Sequence, residues 1–182
     1  MPAFFPYGFA IFFAGMWAGV SFLLSRVSGW PSLAARYRVN AEPSGERLLW
    51  SSASVGGVSF RSCLNMCLSP AGLYMVPSLP FRMFMPALLI PWSDVSFEGF
   101  TKVLFFDFAC LRLGGTEGPL LCVRRKTGER FRPFLASQGR LDFEAGSRFA
   151  GSIWPKNMGA VAALLAAVGA AGAIVAVLAN RR

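Results

Sequence analysis

Histidine is absent from all 182 residues. That removes the commonest general base near neutral pH and the commonest nitrogen ligand for metals. Chemistry would have to come from four cysteines, nine acidic residues and the serines. Cys63 and Cys67 stand four apart in a stretch of alternating hydrophobicity. On one strand face they would be about 13 Å apart at roughly 3.3 Å per residue, whereas a disulfide needs Cα atoms within about 7 Å. The spacing also departs from the Cys-x2-Cys half of a zinc site, and Cys110 and Cys122 are singletons. All four read as small strand residues, with no metal and no cofactor expected. Asp94 and Glu98 are four apart and Asp107 sits in an aromatic run, yet strands would hold them at different heights with no base or nucleophile indicated. Buried, capping or surface roles suit them better. No Gly-x-Ser-x-Gly elbow supports a hydrolase triad. Gly114-Gly115-Thr116-Glu117-Gly118 lacks the Lys-Ser/Thr that a phosphate loop requires and reads as a hairpin turn. The pattern points away from an enzyme.

Two clusters could instead recognise a surface. Arg124, Arg125, Lys126, Arg130 and Arg132 fall within nine residues around Thr127-Gly128, and a hairpin or strand–helix corner would gather them on one rim. Near an anionic leaflet each adds roughly 1 kcal/mol of attraction; the plainer reading is a solvated basic turn. Nucleic acid is not expected, because stacking aromatics are not interleaved with these charges. The second cluster is Pro77-Ser78-Leu79-Pro80-Phe81-Arg82-Met83-Phe84-Met85-Pro86. Its prolines exclude a regular central strand, and Leu79, Phe81 and Phe84 are costly to leave in water. This stretch either packs on the domain's own core or dips into the bilayer or a partner protein.

The elements that must carry these clusters are legible in the hydropathy. Apolar residues make up 54% of the chain and charged residues 15%, with a mean hydropathy of +0.50, 18 Lys+Arg against 9 Asp+Glu and a pI near 10.3. A freely soluble domain is usually more charged, and a basic balance favours acidic partners. Phe4 to Leu24 carries no charge and at 1.5 Å per residue covers a hydrocarbon core of about 30 Å. No cationic stretch precedes it as a cleaved signal peptide would need, so a retained span is expected. Met158 to Ala179 is a second uncharged run, rich in alanine and closed by Arg181 and Arg182. Gly15 with Gly19, and Ala162, Ala166 and Ala170, stand four apart, the spacing of close helix packing in lipid. Arg26, Arg36, Arg38, Arg140, Arg148 and Lys156 flank the central region, against Arg181 and Arg182 outside it. That distribution predicts a cytoplasmic domain, with the four cysteines as thiols in a reducing compartment.

Trp30-Pro31 opens a short helix, Gly29 to Val39, suited to the headgroup layer, and Ala41 to Arg47 reads as a linker. From Val58 to Leu68 the even positions are mostly apolar, as in a strand with one buried face. Ser69-Pro70-Ala71-Gly72 turns the chain into Leu73–Val76. Further strands are expected at Leu48–Ser54, Ala87–Ile90, Val95–Glu98, Lys102–Leu113 and Leu120–Arg125, with a closing helix from Phe131 to Ser137. Short antiparallel strands at this spacing predict a mainly β domain, a sandwich or barrel, flanked by N-terminal and C-terminal transmembrane helices.

Gly72-Leu73-Tyr74-Met75-Val76-Pro77, the loop to Arg82, and Pro86-Ala87-Leu88-Leu89-Ile90-Pro91-Trp92-Ser93-Asp94-Val95 resemble the heart of GRAM/PH-like domains. The layout is also similar to bacterial membrane-anchored proteins that put this pattern after one N-terminal span. The resemblance is strongest over residues 58–98. It implies a PH/GRAM-like β domain at the bacterial inner membrane that binds membrane lipid or protein without catalysis; no headgroup signature matches residue by residue. The organisation expected is a span over 1–28, an interfacial helix and linker over 29–47, the β domain over 48–157 and a second span over 158–182. The functional expectation is a non-catalytic binding or scaffold module, contacting anionic lipid or a membrane protein partner, or a second copy in a homo-oligomer. The alternative is an accessory subunit of a membrane enzyme or transporter.

Overall fold

The computed structural model of the chain describes residues 4–79, 81–103 and 105–136. The second span, with Ala162, Ala166 and Ala170, lies outside the described residues. Helix α1 (Phe4–Val27) runs three residues past the uncharged stretch and takes Arg26 into its last turn. It ends where the Ser28 amide donates to the Leu24 carbonyl and Gly29 turns left-handed at φ 74°, a conformation that glycine adopts without steric cost. Helix α2 (Trp30–Tyr37) follows at once, with Pro31 in its first turn, where its missing amide hydrogen costs nothing. α2 packs one face on the β domain and leaves Pro31, Ser32, Ala35 and Arg36 exposed. Trp30 and Leu33, three apart on one face, are buried; the Trp30 indole Nε1 donates to the Pro86 carbonyl at 2.9 Å and its ring lies beside Phe60.

Seven antiparallel strands follow: β1 (Glu46–Val55), β2 (Val58–Ser69), β3 (Gly72–Pro77), β4 (Leu88–Ile90), β5 (Val95–Val103), β6 (Phe106–Leu113) and β7 (Leu120–Arg124). They form one sheet in the order β4-β3-β2-β1-β7-β6-β5, curled into a half-barrel. The join is β1, whose Ala53, Ser54 and Val55 pair with β7 on one side and with β2 on the other. The single strand expected over Lys102–Leu113 is divided, because Lys102 pairs with Asp107 and Val103 with Phe106 across a tight turn. Alternation in β2 holds in part: Phe60, Leu64, Met66 and Leu68 are buried while Ser59 and Arg61 are exposed, but Ser62 turns outward at φ 49° where the register shifts, and Cys67 is buried on the other face against Tyr74 and Val76.

The closing helical segment begins six residues earlier than expected. It comprises α3 (Arg125–Gly128), a 3-10 turn (Glu129–Phe131) and α4 (Arg132–Ala136). Phe131 and Leu135, four apart, plug the core. Trp92 holds this plug, with ring centroids 5.0 Å from Phe134 in a stacked arrangement and 6.3 Å from Phe131. Its indole Nε1 donates to the Ser69 carbonyl at 2.7 Å. Ser69 Oγ accepts from the Gly72 amide and donates to the Gly72 carbonyl. A Cβ at Gly72 would overlap the Ile90 carbonyl, so only glycine lets the end of β4 cross so close to the β2–β3 turn.

Trp92→Phe keeps a ring against Phe134 but orphans the buried Ser69 carbonyl, and it should lower unfolding free energy by about 1–3 kcal/mol. Gly72→Ala, which forces backbone apart, should cost a similar amount, about 1–3 kcal/mol. Denaturant unfolding of the full chain in detergent checks both, and a Trp92→Phe protein as stable as the parent would show that the indole hydrogen bond holds nothing.

Candidate functional site

The basic cluster lies at a strand–helix corner, where β7 passes directly into α3. Arg124, Arg125, Lys126, Arg130 and Arg132 are all exposed there. The Arg124 guanidinium lies 4.6 Å from the Phe106 ring centroid and that of Arg125 lies 5.0 Å from Phe100. Arg125 Nε pairs with Glu129 at 3.4 Å and Arg130 Nη1 with Glu46 at 3.0 Å. Such exposed pairs are worth at most about 1 kcal/mol, so both arginines can exchange their partners for a ligand. Phe105, 83% exposed, and Phe106 extend the rim at the β5–β6 turn. The aromatic run that holds Asp107 was the signal for them. Only the register of β6 on β7, Phe108 opposite Arg124, shows that the run adjoins the arginines.

The rim spreads along β1. Gly56, beyond the end of β1, lies against the Ser28 carbonyl at the α1–α2 corner, whereas Glu46 at the other end of β1 meets Arg130. Nine steps of about 3.3 Å, roughly 30 Å, separate Val55 from Glu46, but Val123 pairs with Ala53, which sets Arg124 about three steps, roughly 10 Å, from the Val55 end.

The proline-rich loop divides its residues between fates that the sequence posed as alternatives for the whole. Met85 enters the core. Phe81 packs on Trp17 of α1 at 5.5 Å between centroids, and Phe84 edges onto Phe22 at 5.7 Å. Ser25 Oγ donates to the Phe84 carbonyl at 2.8 Å. Leu79 and Met83 remain 81% and 76% exposed. Gly15 and Gly19 of α1 face open space among the described residues. Residues Ala10–Val27 form an apolar helix long enough to cross a membrane, only 11% of it buried against the rest of the chain.

Leu49 and Trp50 form an exposed apolar pair that the strand pattern overlooks. A bulge between Leu48 and Ser51 turns both outward, with Trp50 at φ 53°, a rare conformation for a bulky residue. Its amide donates to Asn65 Oδ1 at 3.1 Å, and Asn65 Nδ2 donates to Ser78 Oγ beside Leu79. Three successive apolar residues, Leu48-Leu49-Trp50, break period two and were the available sign.

The acids are engaged in structure. Asp94 accepts from the Tyr37 hydroxyl at 2.8 Å, and its backbone carbonyl accepts from the amides of Gly114 and Gly115. Glu98 accepts from Arg112 Nε at 2.7 Å, which raises the Arg112 pKa further; Asp107 is exposed. Among the described residues no group of three or more Cys, Asp or Glu converges as a metal site would require. Cys63 and Cys67 are unbonded, as their spacing predicts, and burial raises both thiol pKa values. Cys110 and Cys122 correct the expectation of four thiols: they form a disulfide. The β6–β7 register sets them directly opposite each other with Cα atoms 4.2 Å apart, a proximity invisible in two isolated cysteines twelve residues apart.

The chain matches no family model, no curated protein and no solved structure.

Burial, then the hydrogen bond to Asp94, raises the Tyr37 pKa above its ordinary value of about 10. The folded state thus favours the neutral phenol. Its contribution to stability is full below about pH 10 and is lost as pH rises through the raised value. The unfolding midpoint should therefore fall above about pH 10, and by less in Tyr37→Phe. Tyr74, raised chiefly by burial, keeps the fall from vanishing. Identical alkaline profiles for parent and variant would exclude this role for the Tyr37–Asp94 pair.

Proposed function

We propose that the chain is a membrane-anchored, non-catalytic binding module, in which α1 tethers a GRAM/PH-like β domain and the basic rim takes an anionic ligand. The observation that carries this reading is the projecting apolar helix, joined through α2 to a sheet that gathers five cations where β7 passes into α3. The GRAM/PH part of this reading rests on the resemblance of Gly72–Pro77 and Pro86–Val95 alone. The carboxylates of Asp94 and Glu98 are committed to Tyr37 and Arg112, which suits binding better than turnover.

Two signals bear on the side of the membrane. Arg26, Arg36 and Arg38 crowd the end of α1 nearest the domain, favouring the cytoplasmic face. The Cys110–Cys122 bridge favours an oxidising compartment. The cations weigh more, because they act on insertion beside the span. The proposed location is thus the inner membrane with the domain in the cytoplasm. A second reading, an accessory subunit of a membrane enzyme or transporter, draws on the open Gly15 and Gly19 face and would bring a stoichiometric membrane partner through purification.

Full-length protein held in zwitterionic nanodiscs should bind vesicles containing anionic lipid, and more weakly as salt shortens screening from about 10 Å at 0.1 M to about 3 Å at 1 M. Changing Arg124, Arg125, Lys126, Arg130 and Arg132 together to Gln should weaken this at least tenfold, given roughly 1 kcal/mol per charge. Equal binding by a variant with unchanged circular dichroism would remove the rim as the site. Modification of Glu117→Cys by an impermeant thiol reagent in intact cells would reverse the orientation.

A further inference from the structure

We propose that residues 78–84, the connection from β3 to β4, enter the apolar layer of the bilayer beside α1 and give the domain a second, shallower hold on the leaflet. The inference rests on α1 being a span. Its basis is where the connection touches the helix. Arg26 is the charged residue at the domain end of α1 and marks the headgroup level. Counting back at about 1.5 Å per residue puts Phe22 roughly 6 Å and Trp17 roughly 13 Å deeper, within a hydrocarbon core of about 30 Å. Phe84 lies beside Phe22 and Phe81 beside Trp17. A ring 5.5 Å from Trp17 shares its depth, and what surrounds α1 there surrounds the connection too.

The chemistry of the segment fits that environment. Irregular backbone survives in hydrocarbon only when its polar groups are satisfied within the protein. The amides of Phe81, Phe84 and Met85 donate to the carbonyls of Ser78, Phe81 and Arg82; the Ser78 amide donates to Cys63; and Ser25 caps the Phe84 carbonyl. The side chains left outward, Leu79 and Met83, are apolar. Arg82 is exposed, and its long stem can carry the guanidinium back to the headgroups. Residues 47–93 contain no Asp or Glu, so the connection itself brings no carboxylate into the apolar layer.

Exposure alone does not define this surface, because Phe105 is equally exposed at the opposite end. Gly114 lies against Leu33 and Tyr37 of α2, and eight residues of β6, about 25 Å, separate it from Phe106. Phe105 is therefore the internal control. Full-length protein carrying Cys63→Ser, with Leu79→Cys, Met83→Cys, Ile11→Cys or Phe105→Cys, is labelled with an environment-sensitive thiol fluorophore and reconstituted in phosphatidylcholine vesicles with or without bromine on the acyl chains. Buried Cys67 stays unlabelled under native conditions. Labels at 79 and 83 should be quenched by brominated lipid at least half as strongly as the label at 11, and should be several-fold less accessible to aqueous iodide than the label at 105. Labels at 79 and 83 that behave like 105 while 11 is quenched would overturn the insertion and leave the anchor standing. Absence of quenching at 11 would overturn the anchor and the insertion together. Shielding from iodide without acyl quenching at 79 and 83 would show a protein contact in place of lipid and would equally overturn it.

Discussion

The architecture depends on what the Trp92 indole holds together. One hydrogen bond to the Ser69 carbonyl ties the end of β4 to the β2–β3 turn, and one face of the ring stacks on Phe134. The same side chain thereby joins the first half of the sheet to the helical plug that closes its core. Two residues on, Asp94 does the equivalent for the other half: it accepts from Tyr37 of α2 through its carboxylate and from the Gly114 and Gly115 amides through its carbonyl. A curled open sheet has no second sheet to pack against, so its halves must be tied at the corner where the chain crosses between them. The Ile90-Pro91-Trp92-Ser93-Asp94 phrase occupies that corner, and its residue types follow from the geometry of the crossing. Resemblance carried by such a phrase speaks first to fold, because its side chains are spent on structure.

The exposed surfaces are arranged along the length of β1. Its Val55 end adjoins the α1–α2 corner, and its Glu46 end meets Arg130 of the basic rim. The rim is therefore spread along this axis, with Arg124 about 10 Å and Arg130 about 30 Å from the Val55 end. The end nearest α1 also holds Asp94, bonded to Tyr37 of α2, and the exposed Glu117 in the turn that packs on α2. Between helix and sheet sits α2, held by burial of Trp30 and its hydrogen bond to the Pro86 carbonyl.

What could be read from the sequence was whatever local periodicity or contiguity determines. The Ser-Pro-Ala-Gly turn, the uncharged helix and the five-cation cluster are properties of neighbouring residues, and the structure retains each; period two in residues 58–68 survives except at Ser62, which turns outward, and Cys67, which is buried. The missing histidine and the four-residue spacing of Cys63 and Cys67 constrained the chemistry before any fold was known. Tertiary structure alone decided the rest, because register and docking are relations between distant segments. The β6–β7 register makes Cys110 and Cys122 a bridge. Burial of Trp30 and Leu33 packs one face of α2 on the core, while Pro31, Ser32, Ala35 and Arg36 stay exposed. The placement of α1 separates Phe81 and Phe84, which have a partner, from Leu79 and Met83, which face outward. A run of apolar residues states that surface must be covered, since leaving it in water is unfavourable at about 25 cal/mol per Å², but only the packing of distant elements states what covers it.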